Sequence, residues 1–124
     1  MNKDELRFSD LTEYDKKFIC NGCGPKSCSH KFPDYIFGEY CNLHDFYYWR
    51  GGSEIDRIDA DLTLLTKMIF GIVDLKRATR WRRTYLFLWA IVYYLSCAIG
   101  GWSFFNYGRK KTENDLPSKE DGYY

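Results

Sequence analysis

A histidine, two carboxylates and a tyrosine in this chain could work together. Part of the set lies in CNLHDFYY, Cys41 to Tyr48. On a helix turning about 100° per residue, Cys41, His44 and Tyr48 share one face, with Asp45 at its border. A lone histidine in such a place usually only packs, so a reactive role needs a second group to orient the ring. Asp61 is that group. It falls within the apolar stripe of the following segment, about 60° from Ile58 and between Met68 and Leu65 on a helical wheel, whereas Asp56 and Asp59 point away. A carboxylate on a buried face is costly unless it is paired. His44 stands eight positions before Gly52 and Asp61 nine after it, so two antiparallel helices joined at Gly51-Gly52 would bring them nearly level. The Tyr48 hydroxyl, one turn along, is a second donor. A carboxylate that fixes the tautomer of an imidazole prepares it as a general base. The same buried Asp–Tyr–His network is also a way to specify a fold without any chemistry.

Upstream, CNGCGPKSCSH places Cys20, Cys23, Cys28 and His30 within eleven residues. Three thiols and an imidazole suffice for tetrahedral Zn²⁺, although the closing Cys-x-His is tight for one ion. Gly22, Gly24 and Pro25 support a different reading, a loop bent so that backbone carbonyls face a ligand. Asp45 would add a carboxylate where this loop crosses the helix, and an oxygen-rich site suits Ca²⁺ and not zinc.

Helices must position these groups. Residues 1–18 are polar with sparse apolar positions (Leu6, Phe8, Leu11, Phe18) and read as an arm or short helix; 19–35 read as loop. A helix is expected from about Ile36 to Trp49, stopped by Gly51-Gly52. Ser53-x-x-Asp56 reads as a capping box opening a second helix, with Ile58, Leu62, Leu65, Ile69 and Ile72 as its buried stripe and Gly71 loosening its end. A basic stretch follows (Lys76, Arg77, Arg80, Arg82, Arg83), and residues 84–108 carry no charge. The expectation is a mainly α fold: an N-terminal arm (1–18), a core of loop plus two antiparallel helices (19–83), a third, aromatic-rich apolar helix (84–108) and a loosely held polar tail (109–124).

The uncharged run is long enough to span a bilayer, which takes about 20 apolar residues. Its four tyrosines and three glycines favour instead a packing helix whose second face is covered by a partner or a membrane surface. A domain of 124 residues can hardly bury such a helix whole. With 18 basic and 17 acidic residues there is no global field for nucleic acid. Aromatics make up 19% of the chain, and such side chains populate interfaces and membrane surfaces. The N-terminal MNKDELRFSDLTEYDKKF has no apolar core of a signal peptide, so the expectation is an intracellular or virion protein, or a product already cleaved. Five cysteines leave one unpaired if the others form disulfides.

The motif Cys-x-x-His-Asp-x-x-Tyr (Cys41, His44, Asp45, Tyr48), the loop Asn21-Gly22-Cys23-Gly24-Pro25 and the acid in Arg57-x-x-Ala60-Asp61 together resemble the secreted phospholipase A2 superfamily. The form of the loop and its distance to His44 look most like the group XII branch. The ordered set covers residues 20–66, with a looser likeness over 80–105, and it is also similar to small phage-encoded proteins of uncharacterised type. The resemblance implies a calcium-dependent hydrolase of phospholipid sn-2 esters, with His44 as general base on water and Asp61 and Tyr48 holding its ring. It further implies Ca²⁺ on Asp45 and the carbonyls of Gly22, Gly24 and Lys26, and a Cys23–Cys41 disulfide pinning loop to helix. The implied partner is a phospholipid surface, and the basic flanks of the apolar helix (Arg80, Arg82, Arg83, Arg109, Lys110, Lys111) suit anionic lipid. Departures are plain: Tyr40 and Tyr47 stand where half-cystines usually stand, and Lys26-Ser27 replaces a further glycine of the loop. Cys20, Cys28, His30 and Cys97 have no role in that family. Two other readings stand beside the hydrolase: a structural protein of a larger assembly such as a phage virion, with other subunits covering residues 84–108, and a zinc-stabilised module built on Cys20, Cys23, Cys28 and His30.

Overall fold

The turn between the two central helices shows how the chain is held. The computed structural model describes residues 5–20 and 35–120. Helix α1 spans Glu13–Ile19, α2 Gly38–Arg50, α3 Glu54–Val73, α4 Arg80–Gly100 and α5 Pro117–Glu120. Gly51, at φ +79°, ends α2, and a Cβ there would lie 2.0 Å from the Asn106 carbonyl oxygen. That approach exists because residues 106–111 run alongside the turn. The Gly52 N–H donates to Asn106 O, Gly108 N–H to Gly52 O and Lys111 N–H to Arg50 O. Only glycine combines positive φ with a backbone neighbour so close. At the start of α3, Asp56 accepts from the Ser53 N–H at 2.8 Å and from its hydroxyl at 3.1 Å, the capping box expected from the sequence.

The protein is mainly α-helical, as expected, and an isolated bridge between Gly52 and Tyr107 is the extended pairing found among the described residues. Along the central pair, Asp61 meets His44 and Tyr48, and a Cβ on Gly71 would lie 2.7 Å from the Tyr40 hydroxyl. Contacts thus climb α3 as they descend α2. Helix α4 packs on both, and Phe37, Cys41, Leu64, Met68, Ile72, Leu86, Ala90 and Tyr93 form the shared core.

Three expectations change. The face that α3 buries is Arg57, Ala60, Asp61, Leu64, Met68 and Ile72, whereas Ile58 and Leu62 of the expected stripe are exposed. The apolar arc of α3 is wider than its neighbours cover, and they settle on the side holding Asp61. The third helix begins four residues before the uncharged run, capped by the Thr79 hydroxyl on the Arg82 N–H at 3.1 Å, and it stops at Gly100. From Gly101 the chain makes a 3-10 turn to Ser103 and then folds back along the α2–α3 turn. Finally, the tail up to residue 120 is docked and not loose. Leu116 is buried with Leu6, Leu11, Ile19 and Phe46 in a second apolar cluster. Asp15 accepts from the N–H of Ser118 at 2.8 Å and its hydroxyl at 3.1 Å, and from Thr12. Burial alone would raise the Asp15 pKa; these donors outweigh it and hold the carboxyl below its usual value.

Candidate active site: a buried His–Asp–Tyr–Arg network

His44 and Tyr48 project from successive turns of α2, and Asp61 faces them from α3. All three are buried. His44 Nε2 lies 2.7 Å from Asp61 Oδ1, and the Tyr48 hydroxyl donates to the same oxygen at 2.6 Å. The other oxygen, Oδ2, accepts from Arg57 Nη1 at 3.3 Å. A carboxylate oxygen only accepts, so the ring nitrogen against it must carry the proton, and in the neutral tautomer Nδ1 holds the lone pair. No described residue hydrogen-bonds Nδ1, and it is not among the fully buried atoms left without a partner. The Tyr48 ring lies against the imidazole, centroids 4.2 Å apart, which limits its rotation. Burial, then the Asp61 hydrogen bond and charge, push the Tyr48 phenol far up, so it remains a donor at any ordinary pH.

Arg57 was not foreseen. One turn before Asp61 on α3, its guanidinium joins Glu54, Asp61 and the Cys97 carbonyl of α4. It supplies the positive charge that a buried carboxylate needs. Hydrogen bonding to Arg57 holds Glu54 at about 2, below the ordinary carboxylate value. An acid and an arginine four positions apart on one helix were the available sign.

Helix α4 closes the site from its C-terminal half. The Cys97 sulfur, a His44 ring nitrogen and an Asp61 oxygen all lie within 4.8 Å of one another. Burial, then the charges of Asp61 and Asp45, push the Cys97 thiol up to about 12. The trio has ligand types for a soft metal, but the imidazole proton and Arg57 already occupy the two Asp61 oxygens. Gly101 is buried with its α-carbon against Tyr48, where a Cβ would sit 2.2 Å from the hydroxyl. Phe105 packs edge-on to the Tyr48 ring at 5.2 Å. No local pattern announces either contact, because both depend on how α4 is laid down.

Asp45 is half-buried beside His44. Gly22, Gly24 and Lys26, the other implied calcium ligands, lie outside the described residues, as do Cys23, Cys28 and His30. The described residues therefore offer a calcium ion one carboxylate here, and six to eight oxygens are needed in all. A carboxylate is a ligand type that suits the ion, and the other oxygens are not found among the described residues around Asp45. Cys41 is disulfide-bonded, and its partner lies outside the described residues. Cys20, one of the zinc candidates, is a free thiol pointing its sulfur at the Asn42 carbonyl, 3.4 Å away. Burial, then the Asp45 charge, push it up to about 11.

His44 also edges a shallow crevice between α2 and α3, bounded by Tyr40, Tyr47, Thr63 and Lys67. Pockets for small organic ligands usually run from about 300 Å³ upward, whereas this crevice has no interior room even for a water molecule, so it is a surface dent and not a ligand pocket. Comparison with protein-family models, curated proteins and solved structures found no match for the chain.

Proposed function

We propose that the protein is a hydrolase of phospholipid esters of the phospholipase A2 type. The carrying observation is that Asp61 engages His44 at Nε2, so that Nδ1 is the ring nitrogen left to act as a base. In this reading Nδ1 takes a proton from a water as it attacks the ester carbonyl. Asp61 and the Tyr48 hydroxyl hold the ring in the required tautomer and stabilise the imidazolium that forms; Arg57 keeps Asp61 in place. A calcium ion on Asp45 and the carbonyls of Gly22, Gly24 and Lys26 would supply charge for the developing oxyanion when bound. A Cys23–Cys41 link would fix that loop over α2, and the disulfide-bonded state of Cys41 supports it.

The experiment is release of free fatty acid from mixed phospholipid vesicles by the whole chain. Calcium-dependent release by the wild type that is lost in His44→Gln supports the proposal. Release that survives EDTA, or is unchanged by His44→Gln, refutes it.

One observation favours a second reading, a structural protein that keeps the network as a device of fold specificity. Asp61 is held by three donors and the crevice at His44 is shallow. Absence of release from every vesicle tried, with a correctly folded protein, would select it.

A further inference from the structure

Helix α4 turns an unusual face outward. Trp81, Tyr85, Leu88, Val92, Leu95 and Ile99 recur at alternating steps of four and three residues, and all are exposed. The segment Arg80–Ser103 is apolar and long enough to cross a membrane, yet only 22% of its most apolar window is buried, so it is not a core helix. Coiled-coil seams have the same step but are flanked by charged positions. Here no residue from 84 to 108 is charged, so the flanks provide no partner-selecting ion pairs and the apolar arc is wide. That pattern belongs to lipid and not to a helical partner.

The charges at one end point the same way. Lys76, Arg77, Arg80 and Arg82 cluster around the α4 N-terminus, all exposed, and among the described residues none makes an ion pair. Positive charge there opposes the helix dipole, and the first turn of α4 contains no acid. Within the fold this cluster is unfavourable; against an anionic surface it is attractive.

We infer that α4 lies in the plane of an anionic lipid bilayer, its outer face sunk to the acyl boundary and its basic end on headgroup phosphates. It does not cross. Its inner face (Leu86, Ala90, Tyr93) is committed to α2 and α3, and spanning would carry the exposed Asp59 and Lys67 of α3 toward hydrocarbon. At about 1.5 Å per residue α4 provides roughly 30 Å of apolar edge along the surface. The inference concerns docking and does not depend on His44 being catalytic.

Co-sedimentation of the full chain with vesicles of phosphatidylcholine, with and without phosphatidylglycerol, tests it, with tryptophan emission read in parallel. The wild type is expected to bind the anionic vesicles with a blue shift from exposed Trp81 and Trp102. Leu88→Glu with Leu95→Glu should cut binding more than tenfold on both vesicle types, circular dichroism verifying the fold. Arg80→Ala with Arg82→Ala should weaken anionic binding roughly 30-fold, at about fivefold per basic residue near such a surface, and leave neutral vesicles unaffected. No binding to either vesicle, binding indifferent to both double variants, or self-association of the chain at this face without vesicle binding would each overturn the inference. Since the readout is binding, it separates from the fate of the hydrolase proposal.

Discussion

Tyr48 and Asp61 offer the sharpest test of whether the buried network acts as a unit. Tyr48→Phe removes one of the three donors to Asp61 and little else, because the ring keeps its packing on Phe105. A hydrogen bond to a charged acceptor is worth about 1.5–3 kcal/mol, which sets the cost at about 2 kcal/mol. Asp61→Asn preserves shape but removes the charge facing Arg57 and turns an amide N–H toward a donor, so about 3 kcal/mol is expected. Asp61→Asn leaves an amide oxygen for Tyr48 but takes the charge off it, which cuts the worth of that same bond from about 2 to about 0.5 kcal/mol. The double variant should therefore cost about 3.5 kcal/mol, a coupling of about 1.5 kcal/mol. At roughly 4 °C per kcal/mol for a chain of this size, the melting temperature should fall by about 8, 12 and 14 °C in turn. Urea titration followed by circular dichroism gives the free energies, and scanning calorimetry the midpoints. Additivity within about 0.5 kcal/mol, or a Tyr48→Phe variant as stable as wild type, would refute the shared-acceptor geometry.

Three further outcomes follow from other parts of the fold. Asp15 has a folded pKa below its ordinary 3.8, so its contribution is present above about pH 4 and is lost as pH falls through the folded value. The stability difference between wild type and Asp15→Asn, about 2 kcal/mol near neutrality, should stay flat down to about pH 4 and then shrink; a difference that persists to pH 2 contradicts this. Gly101→Ala should destabilise by about 1–3 kcal/mol because its methyl meets the Tyr48 hydroxyl, whereas Gly100→Ala, with nothing within 4 Å, should be neutral or slightly stabilising in urea titrations. Equal effects would mean that α4 does not approach Tyr48 as described. Cys97 and Cys20, half-buried and with thiols pushed up to about 12 and about 11, should react with a disulfide reagent more slowly in the folded protein than in urea, and equally fast labelling of the native chain would contradict their placement.

Much of the network could be read before any coordinates. A short glycine turn between two helices fixes which residues come level, and that alone aligns His44, Tyr48 and Asp61. The Ser53–Asp56 box is equally local. What escaped is what depends on a third element. The apolar arc of α3 is broad enough to suit two packing faces, and the choice between Leu64/Met68 and Ile58/Leu62 is made by α2 and α4. Gly101 and Cys97 reach the site only through the register of α4, which no periodicity states. The docking of the tail on Asp15 joins residues 103 positions apart, with one buried leucine in an otherwise polar stretch as its sole apolar sign. The expected end of α4 differs because an uncharged run looks continuous, whereas the helix stops at Gly100 and the side-chain-free Gly101 lets the chain turn in against Tyr48.

The state of the His44 ring tests the account most directly. In protein labelled with nitrogen-15 histidine, two-bond proton–nitrogen spectra at alkaline pH distinguish the two tautomers, and His44→Gln separates its signals from those of His30, the other histidine. The network predicts a His44 proton fixed on Nε2, with Nδ1 unprotonated, and loss of that preference in Asp61→Ala. A His44 that carries its proton on Nδ1, or whose tautomer is indifferent to Asp61, would contradict it.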